Sequence, residues 1–432
     1  MTEPGFSIDV FQNPYLPDGG RDVNAIVTVT SEGSAASMTT SDPDRAEIII
    51  VDCSGSMGAP ETKIAEARAA TSAAVDAIPD GVAFGIISGT DVATPVFPGE
   101  GGMAAASEQT RQLAKRAVSL LRPGGGTAMS QWLRLAQATF ASYPAAALRH
   151  AILLTDGKNQ HESPDELSLA IKLCEGAFGC DCRGVGTDWE VSELRRIATA
   201  LFGTVDIVPD PAGLAADFAG MMGKAMAKQV ADVSLRLWTP QHASVRFVKQ
   251  VAPDVEDLSG RAEPSGELAA DYPTGAWGDG ESRDYHVCVR VTPGAVGQEM
   301  LAARVSIVAG SPRRPEVLGQ ALVRAVWTED EALSTRMSRH VAHYTGQAEL
   351  ARVIQEGLDA RKRGDDGNAT AKLGRAVALA EQSGNVDTAK LLARVVDVVD
   401  APTGTVRLKK KVQDADEMAL DTRSTRTVRT RK

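Results

Sequence analysis

Residues 48–57 read Ile-Ile-Ile-Val-Asp-Cys-Ser-Gly-Ser-Met, and the change of character inside this stretch decides the fold. Ile48–Val51 shows no polar alternation, which marks a strand buried on both faces, as in parallel sheets covered by helices. At Asp52 the apolar run stops. An acid and two hydroxyls follow at a spacing of two, Asp52, Ser54 and Ser56, with Gly55 and Gly58 free to bend the chain.

Outward from this point, strands and helices alternate from Ala46 to about Lys228. Helical patterns cover Thr62–Ile78, Ser107–Leu121, Met129–Ser142, Asp165–Ala177, Val191–Leu201 and Gly213–Lys228. Strand patterns cover Val82–Ser88, Ala93–Phe97, Leu148–Leu154, Cys182–Val185 and Thr204–Val208. The alternation predicts a doubly wound, mostly parallel α/β domain over residues 44–228. On either side the period becomes two: Ser7–Phe11 and Ala25–Thr30 before it, then Val233/Leu235/Leu237, Val245/Phe247, Tyr285/Val287/Val289/Val291 and Val305/Ile307 after it. A lone hairpin is marginal in water. Residues 1–43 and 229–330 are therefore expected to share one antiparallel β-sandwich, with the α/β domain inserted. Residues 331–400 are expected to form a small helical bundle, with Leu350, Val353, Ile354 and Leu358 on one face and Leu373, Val377 and Ala380 on another. From 401 to 432 periodicity is lost and basic residues gather, which predicts a disordered tail. The expected fold is thus multidomain, α/β plus all-β.

Composition narrows the function classes. A chain of 432 residues with 43% hydrophobic and 24% charged residues is ordinary for a globular protein, and its net charge of −10 argues against nucleic acid as a partner. No apolar run approaches the ~18 residues of a membrane span. The start, MTEPGFSIDVF, lacks a basic head followed by an apolar run, so no secretory signal is expected. Five cysteines without a paired framework suit a reducing cytoplasm.

Two further stretches complete a constellation with Asp52. Gly124-Gly125-Gly126-Thr127 opens a helix, and Leu153-Leu154-Thr155-Asp156-Gly157 ends a second buried strand. In a parallel sheet Asp52 and Asp156 emerge at the same C-terminal edge, where open α/β sheets bind ligands. A small hard cation, Mg²⁺ or else Mn²⁺ or Ca²⁺, takes roughly six oxygens. Hydroxyls from Ser54, Ser56 and Thr127 are neutral donors, and Asp52 and Asp156 add charge directly or through water. Such an ion stays electron-poor and attracts one more carboxylate, an Asp or Glu of a partner protein. That chemistry suits binding better than catalysis.

Asp52-x-Ser54-x-Ser56, the distant Thr127 and Asp156-Gly157 resemble the metal-ion-dependent adhesion site of von Willebrand factor A-type domains, over about residues 44–228. The resemblance implies direct ligation by Ser54, Ser56 and sometimes Thr127, with Asp52 and Asp156 reaching the ion through water. It also implies a non-enzymatic interaction module. Similar proteins serve MoxR-type and chelatase-type AAA+ ATPases as adaptors, an alternative reading; a metal-dependent hydrolase is a weaker one. A haloacid-dehalogenase site would need an acid where Ser54 stands, and a phosphate loop would need a Lys within Gly124–Ser130. A nucleophilic Ser56 lacks the glycine required where Ser54 stands and a following Asp–His pair.

Other residues carry weaker signals. Cys174, Cys180 and Cys182 lack a fourth zinc ligand and read as buried small apolar residues. His161 reads as a solvated loop residue, and His340 and His343 as ordinary helix residues. In the tail, Thr425 and Thr427 stand among arginines, with Val428 three residues after Thr425. The segment reads as a solvated basic tail, or as the target of a Ser/Thr kinase whose phosphothreonine a forkhead-associated domain protein would recognise.

Overall fold

The computed structural model describes residues 5–32, 44–99, 101–310 and 315–430. The chain divides into two compact units, Ser41–Ala231 and, from both sides of it in sequence, Met1–Thr40 with Asp232–Lys432.

In the α/β unit Arg45–Asp52 lies at the middle of the sheet, and all eight of its residues are buried. The strand order is Val205–Val208, Gly179–Val185, Leu148–Thr155, Arg45–Asp52, Ala83–Gly89, Ala93–Phe97. The first five run parallel. The sheet is nevertheless mixed, because Ala93–Phe97 and the short Ala104–Ala105 both pair antiparallel with Ala83–Gly89. A return through only Thr90–Val92 is too short for a parallel crossover. One face buries Ile49, Val51, Phe84, Ile152 and Leu154 under helices Thr62–Asp76, Glu108–Ser119 and Leu214–Met226. Helix Met129–Ala141 is fixed by Trp132, whose ring lies so close to Gly89 that a Cβ there would meet it at 2.4 Å.

One buried acid interrupts this apolar sheet. Glu47 is fully buried, and His150 stands between it and Asp181, with Nδ1 2.9 Å from Glu47 and Nε2 3.1 Å from Asp181. Burial works against a charged imidazole, but the two flanking carboxylates outweigh it and raise the His150 pKa to about 10. The three side chains form an ion-pair cluster across three strands, fully buried at Glu47 and half-buried at His150 and Asp181.

The other unit holds two sheets and the helices. One sheet runs Gly5–Gln12, Asp22–Glu32, Ser282–Val291, Ala243–Ala252, Glu256–Asp257, all antiparallel. The second runs Glu263–Gly266, Ala269–Gly278, Lys228–Trp238, Glu299–Ala309, Glu316–Thr328, Tyr15–Pro17. Phe6 of the first meets Trp277 of the second edge-on at 5.4 Å. The N-terminal strands do join strands from after the α/β unit.

Helices Arg339–Lys362, Asp366–Ser383 and Val386–Val395 follow. The apolar positions expected to face inward, from Leu350 to Ala380, are all buried. Helix Asp366–Ser383 ends on Gly384 in the left-handed conformation at φ 66°, which glycine adopts without a Cβ penalty.

The tail corrects the sequence reading. Val396–Asp400 and Thr405–Leu408 form a hairpin, and Asp414–Arg423 is a helix. Val406, Ala419 and Leu420 are buried. Arg361 pairs with Glu417 at 2.6 Å and Arg394 with Asp416 at 3.2 Å. A few apolar anchors and oppositely charged neighbours suffice to order a segment whose composition looked disordered.

Candidate functional site

Strand register brings the site together. Asp52 lies opposite Gly89, and Val51 opposite Leu154, so Asp52 and the Thr155–Asp156 turn leave the sheet side by side. Beyond Asp52 the chain turns back at once: Ser54 N–H donates to Asp52 Oδ1 at 2.7 Å. The glycine-rich loop closes on it, with Gly55 N–H bonded to Gly125 O at 3.1 Å and Gly124 N–H to Cys53 O at 2.8 Å. Gly125 has φ 76°, a backbone that a side chain would strain.

The three hydroxyls converge. A Cβ built on Gly157 would lie 3.3 Å from Ser56 Oγ, 3.4 Å from Thr127 Oγ1 and 3.8 Å from Ser54 Oγ. Ser54 Oγ and Ser56 Oγ are 3.0 Å apart, and Ser56 Oγ donates to Asp156 Oδ1 at 2.6 Å. Thr155 Oγ1 donates to the second oxygen of Asp52. Asp52, Ser54, Thr127 and Asp156 are buried, and Ser56 is exposed at the mouth. Ser54, Ser56 and Thr127 thus converge at the sheet edge with Asp156 bonded to Ser56, while the Asp52 oxygens are taken by Ser54 N–H and Thr155 Oγ1. Burial pushes the Asp52 carboxyl up to about 6 although Ser54 and Thr155 donate to it. A buried carboxylate pair close to three hydroxyl oxygens is a donor set a small hard cation fits.

Several neighbours were not read from the sequence. Lys63, in the first turn of its helix, sends its Nζ to Asp156 Oδ2 at 2.7 Å and to Asp188 Oδ2 at 3.3 Å. Burial lowers the Lys63 pKa, but these acids outweigh it and the net shift is upward. His161 corrects an expectation: although exposed, its Nδ1 accepts from the Thr127 backbone N–H at 3.0 Å, and the His161 backbone N–H donates to Thr127 O at 3.1 Å. Asn159 Oδ1 accepts from Met129 N–H, and Glu162 from Ser130 N–H. The loop after Asp156 therefore caps the helix that Thr127 introduces. A loop run rich in acceptors, Asn159 to Glu162, directly after Asp156 was the available signal.

The remaining candidates lie elsewhere. Cys53, Cys174, Cys180, Cys182 and Cys288 are all buried thiols. Among the described residues no group of three or more His, Cys, Asp or Glu is placed to hold a metal, which leaves hydroxyl-built sites as a different donor class. His340 stacks on Phe11 at 4.0 Å, and His343 Nε2 bonds Val428 O at 2.6 Å. Thr425 and Thr427 are half-buried in a docked segment: Val255 N–H bonds Thr425 O at 2.8 Å, and Thr427 Oγ1 donates to Val251 O at 2.8 Å.

Two family models match this chain: "von Willebrand factor type A domain" over residues 46–207 and "von Willebrand factor type A C-terminal domain" over residues 378–424. The solved structure of a von Willebrand factor type A protein from Catenulispora acidiphila is 51% identical, covering 99% of this chain and 98% of that one, with a TM-score of 0.93. An ArnB paralog from Sulfolobus acidocaldarius, 15% identical over 98% of each chain with a TM-score of 0.57, is alike in fold. An uncharacterized protein of Synechocystis sp. is 26% identical over 148 residues, 33% of this chain; the chain spans only 35% of that relative's length.

Proposed function

The chain belongs to the von Willebrand factor type A family, generally protein-interaction modules, and from that premise we propose that it binds a divalent cation and, through it, an acidic residue of a protein partner. The convergence of Ser54, Ser56 and Thr127 on one point beside Asp52 and Asp156 carries this reading. The hydroxyls would hold Mg²⁺, or Mn²⁺ or Ca²⁺, directly, with the two acids behind them. Bound there, the ion supplies an electron-poor centre. Neutral donors leave most of its charge uncompensated, and an Asp or Glu of the partner completes it. The chain itself positions the hydroxyls and performs no bond-making step.

Pull-down from the native cell with intact and Asp52→Ala protein, in Mg²⁺ and in EDTA, tests the reading. A partner held only by the intact protein in Mg²⁺ is the expected result; a partner held equally in EDTA would contradict it. If the partner is an AAA+ ATPase of MoxR or chelatase type whose turnover changes on addition of this protein, the role is that of an adaptor. The five buried thiols suit a reducing cytoplasm as the place of action. Among the described residues no helix is long and apolar enough to cross a membrane.

The tail is proposed as a regulated element, with Thr425 and Thr427 as kinase targets and a forkhead-associated domain protein as reader. The docked geometry sets a condition: Thr427 Oγ1 already bonds two carbonyl oxygens, Val251 O and Pro253 O. A phosphate there cannot keep those bonds, so modification would go with release of the segment. Mass spectrometry of native protein that never finds phosphate on these threonines would remove the idea.

A further inference from the structure

Lys63 is a nearly buried cation at the site that the adhesion-type reading does not use. Its side chain is 10% exposed, and Asp156, fully buried, is bonded on both oxygens, Oδ1 by Ser56 and Oδ2 by Lys63. Asp188, the other acid on Lys63, is 71% exposed and screened by water. Two consequences follow from this geometry. With Oδ2 held by an ammonium, Asp156 is kept behind the hydroxyls. The two carboxylates and the ammonium also sum to one negative charge, so a dication leaves the cluster with one net positive charge. Resting on the cation reading above, we propose that Lys63 strengthens the dependence of this site on an outside carboxylate: it weakens binding of the bare cation and adds to the coupling between cation binding and carboxylate binding.

Calorimetric titration of the full chain with Mn²⁺, in chloride and in acetate at constant ionic strength, tests this. Lys63→Met and Lys63→Gln are expected to bind Mn²⁺ about tenfold more tightly than the wild type, the scale set by one unit charge acting on a dication across several ångströms. Replacing chloride by acetate should tighten Mn²⁺ binding by the wild type several-fold more than by either variant. Lys63→Arg, which keeps the charge, should behave as the wild type. Gln retains a hydrogen-bond donor for Asp156 and decides the matter if the Met variant does not fold. Equal affinity in wild type and Gln variant, with the same response to acetate, would overturn the role of Lys63 and leave the cation reading standing. No Mn²⁺ binding by any of the proteins would overturn that reading as well.

Discussion

A Cβ on Gly126 would fall 2.3 Å from His161 Cγ, so the chain has no space there for even one methyl group. Gly126→Ala is expected to push the imidazole aside and release Thr127 N–H, lowering Mn²⁺ affinity about tenfold, as loss of an orienting partner commonly does. Calorimetry checks the affinity, and unchanged far-ultraviolet circular dichroism checks the fold. Asp52 offers a pH-dependent observable. Burial takes its pKa from 3.8 to about 6, so between those values the folded, cation-free protein holds a proton that the unfolded chain has lost. The associated stabilisation is full below about pH 4 and disappears as pH rises through about 6, a loss of roughly 3 kcal/mol. Asp52→Asn has no such loss. Urea denaturation of both proteins in EDTA, at about pH 4 and about pH 7, should show the wild type falling relative to the variant; parallel trends would contradict the assignment. The five oxygen-bearing residues could be picked out because Asp52-x-Ser54-x-Ser56 and Asp156 stand at the ends of buried strands and Thr127 closes a triple-glycine run before a helix. Lys63 was not, because it lies 93 residues from Asp156 and its helix position says nothing of where a flexible ammonium reaches.

At the scale of elements, the sheet and the tail carry opposite lessons. The apolar run Ile48–Val51 announced a central strand, yet the same strand holds Glu47, whose partners His150 and Asp181 come from two other strands. His150→Ala removes that bridge and leaves Glu47 buried beside Asp181, at a cost of about 3–5 kcal/mol. Chemical denaturation measures it; a change below about 1 kcal/mol, the scale of an exposed pair, would show the cluster to be solvated. The helix Asp414–Arg423 escaped the sequence reading because its anchors are few and are flanked by charge. Leu420 is fully buried nonetheless, and Leu420→Ala is expected to destabilise the protein by roughly 2–4 kcal/mol. A neutral substitution would mean that this helix does not dock in solution.

Over the whole molecule, the change of hydrophobic period at either end of the α/β segment foretold that strands from both sides would meet, and Asp22–Glu32 does pair with Ser282–Val291. Antiparallel pairing of Ala93–Phe97 was not foretold, since a short apolar run carries no direction. The α/β unit contains its own buried core, from Ile49 to Met222, and every residue of the candidate site lies within it. Residues 41–231 alone are therefore expected to fold and to bind Mn²⁺ as the full chain does, with circular dichroism and calorimetry as checks. Anomalous diffraction from crystals of the full chain soaked in Mn²⁺ tests cation binding by the hydroxyl cluster most directly. A single strong peak is expected at about 2.1–2.3 Å from Ser54 Oγ and Ser56 Oγ. A clear map with no peak between Ser54, Ser56 and Thr127 would contradict it.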